Sequence, residues 1–251
     1  MKLSSRILLS LLIIVMAGLL LSNIVLKKAY NKIDKSDLHW NYTNVLTQHF
    51  KYIKIEGGNN TKIAFEQNKN CSVRVLNDWQ RYHPALIQSS VKNDTLFIKF
   101  VYNSSNQNEK DWMKWTTLVR VFSPELLSVE GFNTNFGMFN LKQKSIAVNM
   151  SGKSKFEVES MIPDMDSITV VQKDSSSVEF EMSPDYKSTP LIRSSKEIKS
   201  DEAMNINSVN ANLKGYSILD VGHVQIDSLQ LNIADSSAIV LSGGALKKIR
   251  K

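Results

Sequence analysis

The chain has a single cysteine, Cys71, among its 251 residues, and this scarcity excludes two kinds of site. One thiol cannot form an internal disulfide framework, and it cannot supply a zinc site built from several cysteines. Cys71 lies between Asn70 and Ser72, directly before an alternating apolar segment. We therefore expect a thiol at the edge of a strand, without a functional role.

The sequence also lacks the short motifs of several enzyme classes. It contains no H-E-x-x-H pair, no Gly-rich phosphate loop and no G-x-S-x-G motif. One Asp-x-Asp, Asp164 to Asp166, follows Pro163 and is more typical of a turn than of a calcium site. The four histidines are far apart in the sequence: His39, His49, His83 and His223. We predict no catalytic residues, no metal and no cofactor.

Positive charge is scarce in the middle of the chain, although the net charge is +7. Residues 1–35 hold six Lys or Arg and one Asp, and the last five residues add four more cations, so the remainder is slightly acidic. A nucleic-acid surface needs Lys and Arg clustered on the folded domain. We therefore expect no nucleic-acid partner.

A long apolar run occurs once, at residues 7–26, where only Ser10, Ser22 and Asn23 are strongly polar. As a helix, twenty residues span a hydrocarbon core of about 30 Å. We expect an uncleaved membrane anchor over residues 1–26, in contact with the bilayer through residues 7–26. The alternative is a signal peptide cleaved after Ala17, since Val15-Met16-Ala17 offers a small-residue site. The flanking lysines and arginine do not fix the orientation.

The main positive feature is a register that recurs along the chain. Related segments begin at Ser145, Ser167, Ser208 and Ser228, separated by 22, 41 and 20 residues, so that the middle gap is close to two periods. Apolar and polar residues alternate in each segment, a small or polar bend follows, and the alternation then resumes. This pattern is typical of stacked coils that bury their apolar faces against one another. It predicts an all-β, right-handed parallel β-solenoid with about 19–22 residues per coil, preceded by one transmembrane helix, with Ile146 lying against Ile168.

The predicted domain boundaries follow from the same patterns. Residues 27–46 are polar and read as a stalk, and residues 47–251 form the β-solenoid. Gly57 to Asn60 predicts a turn between two strands, and Asn93-Asp94 predicts another, because Gly, Asn and Asp tolerate positive φ. We expect very little helix beyond the anchor.

The segments FKYIKIEGGNNTKIAF, TLFIKF and LVRVFSPELLSVEGF, together with the Ser-rich repeats, resemble a known family. It is the "putative autotransporter adhesin head GIN domain" family, a domain of unknown function common in Bacteroidetes. The resemblance covers roughly residues 47–250. It implies a β-solenoid at the cell envelope, with no established catalytic residues to carry over. Family members usually have more glycine in their bends, where this chain places Asp174, Ser175 and Ser176.

Four aromatic residues are the candidate ligand-binding residues: Trp79, Tyr82, Trp112 and Trp115. Their rings suit stacking on sugars, while the alternative is that they cap an open end of the β-domain. Ser154, Ser176 and Ser237 occupy equivalent bends and are expected to form hydrogen-bonded ladders.

We therefore predict a non-enzymatic, membrane-anchored protein of the periplasm or cell surface, with polysaccharide or another envelope protein as its partner. The alternative is a carbohydrate-active enzyme, a lyase or hydrolase, whose site would draw on the polar and acidic residues of the exposed strand faces. The candidates for that site are Asp174, Glu179, Glu181, Asp220, His223 and Asp227.

Overall fold

A computed structural model describes residues 3–82, 86–101, 116–139, 141–159, 164–180, 205–222 and 224–241. The chain divides into two compact units, Met1–Tyr42 and Thr43–Lys251. The first unit contains helix α1, Leu3–Tyr30, which extends past the predicted anchor. Within it, Ile7–Tyr30 is long and apolar enough to cross a membrane, with a mean hydropathy of 2.6, and a signal sequence has the same properties.

The second unit is built from two β-sheets, whose strands are numbered in chain order. Sheet A has the order β1-β4-β7-β3-β9-β11-β13-β15-β17, and sheet B has the order β16-β14-β12-β10-β8-β2-β6-β5. The strands of sheet A are β1 Tyr42–Leu46, β3 Lys62–Gln67, β4 Ser72–Leu76, β7 Thr117–Ser123, β9 Asn135–Phe139, β11 Lys155–Val158, β13 Ser177–Glu179, β15 Ile218–Asp220 and β17 Ala238–Val240. The strands of sheet B are β2 Tyr52–Glu56, β5 Ile87–Lys92, β6 Thr95–Phe100, β8 Ser128–Phe132, β10 Ser145–Ser151, β12 Asp164–Gln172, β14 Asn205–Leu213 and β16 Gln225–Ile233. A short helix, α2 Asn77–Tyr82, follows β4.

The core lies on the face of each strand that carries its apolar residues. Successive side chains of a strand point to opposite faces, so residues two apart share a face. In β10, Ile146, Val148 and Met150 are buried while their neighbours are exposed. In β11, Phe156 and Val158 are buried in the same way. These side chains belong to one continuous hydrophobic cluster.

The prediction of an all-parallel β-solenoid is wrong, because both sheets are mixed. β4 pairs antiparallel with β7, and β5 pairs antiparallel with β6. The β5 to β6 reversal follows from Asn93 and Asp94, which both have positive φ, 50° and 55°, and together form a tight two-residue turn. By contrast, β2 and β3, which flank the predicted Gly57 to Asn60 turn, lie in different sheets and do not pair with each other.

The register predicted from the repeated serines is confirmed within sheet B. Ser145 pairs with Ser167, Ser167 with Ser208, and Ser208 with Ser228, all between parallel strands. Ile146 lies opposite Ile168. Although 41 residues separate Ser167 from Ser208, β12 pairs directly with β14, and β13 pairs directly with β15. Residues 181–204 lie outside the described part of the chain.

The bends from sheet B to sheet A contain a residue with left-handed backbone in successive repeats. The φ angles are 52° at Asn133, 67° at Gly152, 63° at Asp174 and 72° at Gly215. Hydrogen bonds join neighbouring bends: the Gly152 amide donates to Asp174 Oδ2 at 2.9 Å, and the Lys153 amide donates to Asn133 Oδ1 at 2.8 Å. Each bend therefore fixes the position of the next one.

A buried hydroxyl follows each of these bends. Ser154 and Ser176 are 3% and 1% exposed, and each donates to a carbonyl three residues earlier in its own bend, at 2.6 and 3.0 Å. Both also lie within hydrogen-bond distance of a carbonyl of the preceding repeat, Gly131 at 3.5 Å and Met150 at 3.3 Å, and the less buried Ser237 donates to the Gly215 carbonyl of the repeat before it at 2.9 Å. These serines thus bond to backbone carbonyls of their own and of the preceding repeat, rather than to one another.

Candidate binding surface

The structure describes only one of the four predicted ligand-binding side chains. Trp79 lies in α2 and is 3% exposed, packed into the hydrophobic core beside β4. Its ring face is not accessible for stacking, which agrees with the capping alternative for this residue. The side chain of Tyr82, and all of Trp112 and Trp115, lie outside the described residues, so ligand contact by them stays a prediction.

Other aromatic side chains are exposed on the outer face of sheet B. Tyr52 on β2, Phe97 on β6 and Phe132 on β8 are 39%, 39% and 49% exposed. Each occupies a strand position that the alternating pattern predicts to be polar, next to buried residues such as Ile53 and Ile98. We call these three aromatic residues, with the charged residues between them, the aromatic platform.

The charged residues of the aromatic platform form two ion pairs across β2. Lys54 Nζ lies 2.7 Å from Glu130 Oε2, and Lys99 Nζ lies 3.1 Å from Glu56 Oε2. All four side chains are at least half exposed, so these pairs contribute little to stability. Their charges cancel locally, and their oxygen and nitrogen atoms remain accessible to hydroxyl groups of a ligand.

The spacing of the two phenylalanines follows from the strand pairing. Phe97 lies opposite Lys54, and Phe132 lies opposite Glu56, two residues further along β2. Two strand spacings and two residue steps therefore separate the phenylalanine Cα atoms, a distance of about 12 Å. A shallow cavity of about 680 Å³ lies over this area, lined also by Gln88, Ser90 and Ser151 among others.

The outer face of sheet B continues from the platform with two rows of uncharged side chains, while the exposed Asp166 and Asp227 lie nearer the starts of β12 and β16. Glu130 lies opposite Asn149, and the same row continues through Val171 to Asn212 and Asn232. The adjacent row contains Ala147, Thr169, Asn210 and Gln230. Amide side chains offer both donors and acceptors, and parallel strands repeat them at about 4.8 Å. This combination suits a neutral ligand rich in hydroxyl groups.

The outer face of sheet A has a different character, because several of its paired charged groups are largely buried: Lys62, Glu157 and Glu159 are 23%, 16% and 11% exposed. Lys155 Nζ lies 2.6 Å from Glu157 and 2.8 Å from Glu179, and Lys62 contacts both Glu157 and Glu159. Burial alone would raise the pKa of Glu157, but the hydrogen bond from Lys155 and the charges of Lys62 and Lys155 outweigh it and lower that pKa. Burial alone would lower the pKa of Lys155, and its bonds to the two glutamates reverse this and raise it. A glutamate held ionised in this way is a poor general acid.

Several of the candidate catalytic carboxylates already have structural partners. Glu179 and Asp220 are brought together as register partners on β13 and β15, yet Glu179 is bound to Lys155 and Asp220 accepts the Gly222 amide at 2.8 Å. Asp174 accepts the Gly152 amide. Glu181 and His223 lie outside the described residues. Within the described part of the chain, no three His, Cys, Asp or Glu side chains converge as a metal site.

Sequence reasoning missed the aromatic platform, although a usable signal was present. Phe97 stands between the buried residues Leu96 and Ile98, and Phe132 follows the buried Gly131. An aromatic residue in the polar phase of a strand must be exposed if the neighbouring apolar residues face the core. The position of each aromatic residue in the alternation of apolar and polar residues therefore identifies this surface.

Comparison with known proteins shows a likeness in structure only. No family model matches the chain, and no curated protein matches it. A crystal structure of a "putative adhesin" from Bacteroides fragilis aligns with a TM-score of 0.56 and 14% identity, covering 79% of this chain and 77% of that one. A "putative lipid binding protein" from Parabacteroides distasonis aligns with a TM-score of 0.47 and 13% identity, covering 79% and 80%. The chain therefore has the fold of the Bacteroides fragilis protein.

Proposed function

We propose that this chain is a non-enzymatic binding protein of the cell envelope, held to the membrane by residues 7–26, and that it belongs to the GIN head-domain family. Its ligand is a neutral polysaccharide, which lies across the strands on the outer face of sheet B. The observation that carries the proposal is the pair of exposed phenylalanines on the aromatic platform, Phe97 and Phe132.

The geometry of the platform supports a sugar chain. The apolar faces of sugar rings pack on aromatic rings, and their hydroxyl groups bond to polar side chains nearby. The Cα separation of about 12 Å between Phe97 and Phe132 is a span that two or three consecutive sugar rings cover. The paired charges of Lys54 with Glu130 and the amides of Asn149 and Asn210 provide donors and acceptors along the same face.

The envelope location is supported by two further findings. Ile7–Tyr30 has the length and hydropathy of a membrane-crossing helix. The Bacteroides fragilis protein of the same fold carries the name of an adhesin, a class that binds at cell surfaces.

The test is binding of neutral oligosaccharides to the full chain in detergent, measured by titration calorimetry after a glycan array has identified a ligand. Phe97→Ala and Phe132→Ala should each weaken binding about tenfold, since an aromatic contact contributes about 1 kcal/mol beyond its buried area. The matched control is Tyr216→Ala, which removes an aromatic ring that is 74% exposed at a bend away from the platform.

Three outcomes would contradict the proposal. Unchanged affinity in both phenylalanine variants would show that the platform is not the binding site. Preferential binding of an envelope protein would show that the ligand is a protein and not a polysaccharide. Release of new reducing or unsaturated ends from a polysaccharide would show the enzymatic alternative, and loss of that release on Asp220→Asn would place it on sheet A.

A further inference from the structure

The strands at the C-terminal end of the two sheets expose apolar residues that earlier repeats bury. On β16, Leu231 and Ile233 are 39% and 38% exposed. Their register partners on β14, Ala211 and Leu213, are 1% and 0% exposed. The same side chains would thus be buried if another strand lay against β16.

Both sheets end at this place in the described part of the chain. β16 is the last strand of sheet B, and β17 is the last strand of sheet A. Ile239 on β17 is only partly buried, whereas its register partner on β15, Leu219, is 0% exposed. An edge strand presents unpaired backbone N–H and C=O groups, which are a template for pairing with a further strand. This edge of the two sheets therefore offers both backbone groups that a further strand can pair with and apolar side chains that it can cover.

We propose that a second copy of this chain covers this edge, and that the two β16 strands pair antiparallel about a two-fold axis at Leu231. The segment Leu229-Gln230-Leu231-Asn232-Ile233 has the same apolar and polar order in both directions. In this register Leu229 lies opposite the partner's Ile233, and Gln230 lies opposite the partner's Asn232. Apolar residues then meet apolar residues on the core side, and amides meet amides on the outer side.

The opposite end of the two sheets does not allow the same pairing of apolar residues with apolar residues across a two-fold axis. There, α2 packs Trp79 into the core beside β4, and the outer strand β5 carries Ser89 between Ile87 and Val91 in its half-buried phase. Pairing of like with like at the β16 edge closes after two copies, whereas head-to-tail pairing would continue into filaments. The dimer is therefore the assembly that the end residues favour.

Disulfide trapping tests the register directly in the full chain in detergent, on a Cys71→Ser background. Gln230→Cys chains mixed with Asn232→Cys chains should cross-link to each other, because opposed residues of antiparallel strands have Cα atoms about 5.5 Å apart, within disulfide range. Each variant alone should cross-link less. The control is Asn210→Cys, an exposed residue on the neighbouring strand β14, which should not cross-link.

Disruption of the edge is the second measurement. Leu231→Lys places two charges at the two-fold axis and should raise the dissociation constant of the dimer about tenfold or more. Asn210→Lys adds the same charge on β14 and should leave the constant unchanged. Circular dichroism of both variants checks that the β-domain still folds.

The proposal is overturned if light scattering finds only monomers of the full chain and the mixed cysteine chains do not cross-link, which would mean that other residues of the same chain cover β16. It is also overturned if cross-linking is equal in the mixed and single samples, or if Leu231→Lys dimerises as well as Asn210→Lys.

Discussion

Substitutions of Asp174 can separate two effects of one bend on the stability of the fold: the left-handed backbone conformation and a side-chain hydrogen bond. Its backbone is left-handed, with φ of 63°, and its Oδ2 accepts the Gly152 amide of the preceding repeat at 2.9 Å. A left-handed backbone costs an ordinary L-residue about 1 kcal/mol or more, while Asp and Asn adopt it more easily and Gly adopts it freely. The hydrogen bond contributes about 1 kcal/mol.

These two terms predict an order of stability for three substitutions. Asp174→Ala loses the hydrogen bond and the tolerance for positive φ, so the free energy of unfolding should fall by about 2 kcal/mol. Asp174→Gly loses the bond but removes the backbone strain, and should stay within about 0.5 kcal/mol of the native chain. Asp174→Asn keeps an oxygen acceptor and should also stay within about 0.5 kcal/mol.

Urea unfolding of the full chain in detergent, followed by tryptophan fluorescence, measures these differences. The slope of the transition should be the same in all variants, so that the midpoints report stability. If Asp174→Ala is as stable as Asp174→Asn, the hydrogen bond and the strain are both negligible and the reasoning fails. If Asp174→Gly is as unstable as Asp174→Ala, backbone strain does not matter at this bend.

Three further predictions concern the core, the ion pairs and the aromatic residues outside the described part of the chain. Phe156→Ala should lower the free energy of unfolding by about 3–5 kcal/mol in the same assay, because the ring is fully buried and stacked on Phe136 with centroids 6.0 Å apart. Since the pKa of Glu157 is lowered in the folded chain, its contribution is lost as the pH falls below the ordinary value of 4.5. Glu157→Gln should therefore reduce the loss of stability in acid, and an unchanged acid profile would contradict this. Trp112→Ala and Trp115→Ala should weaken glycan binding in calorimetry if these side chains contact the ligand, and unaltered affinity would leave capping as their role.

The pairing of the later strands could be predicted from the sequence because side chains alternate with a period of two. A shift of one residue would turn Ile146 and Ile168 from the core to solvent, so the apolar pattern fixes the register of β10 against β12. The antiparallel pairs could not be predicted in the same way. Val73 and Val75 alternate identically whether β4 runs parallel or antiparallel to β7, because alternation carries no information on strand direction.

The binding surface was less predictable than the fold. Residue type and a place in a less regular segment point to four aromatic residues, of which Trp79 is buried. Phe97 and Phe132 belong to regular strands, where an aromatic residue is ordinarily assigned to the core. Their exposure follows instead from the alternation, because Phe97 and Phe132 occupy positions between or after the buried residues of their strands and so face the other side of the sheet.

The direct pairing of β12 with β14 has a consequence for how the chain tolerates change in length. More than thirty residues separate Gln172 from Asn205, yet these two strands are neighbours in the sheet. Sequence added between two strands that pair directly need not disturb their ladder, and the entropy of closing a loop grows only slowly with its length. The chain should therefore tolerate changes in length between β12 and β14, while a single residue inserted within β12 itself would reverse the faces of the β12 side chains that follow it.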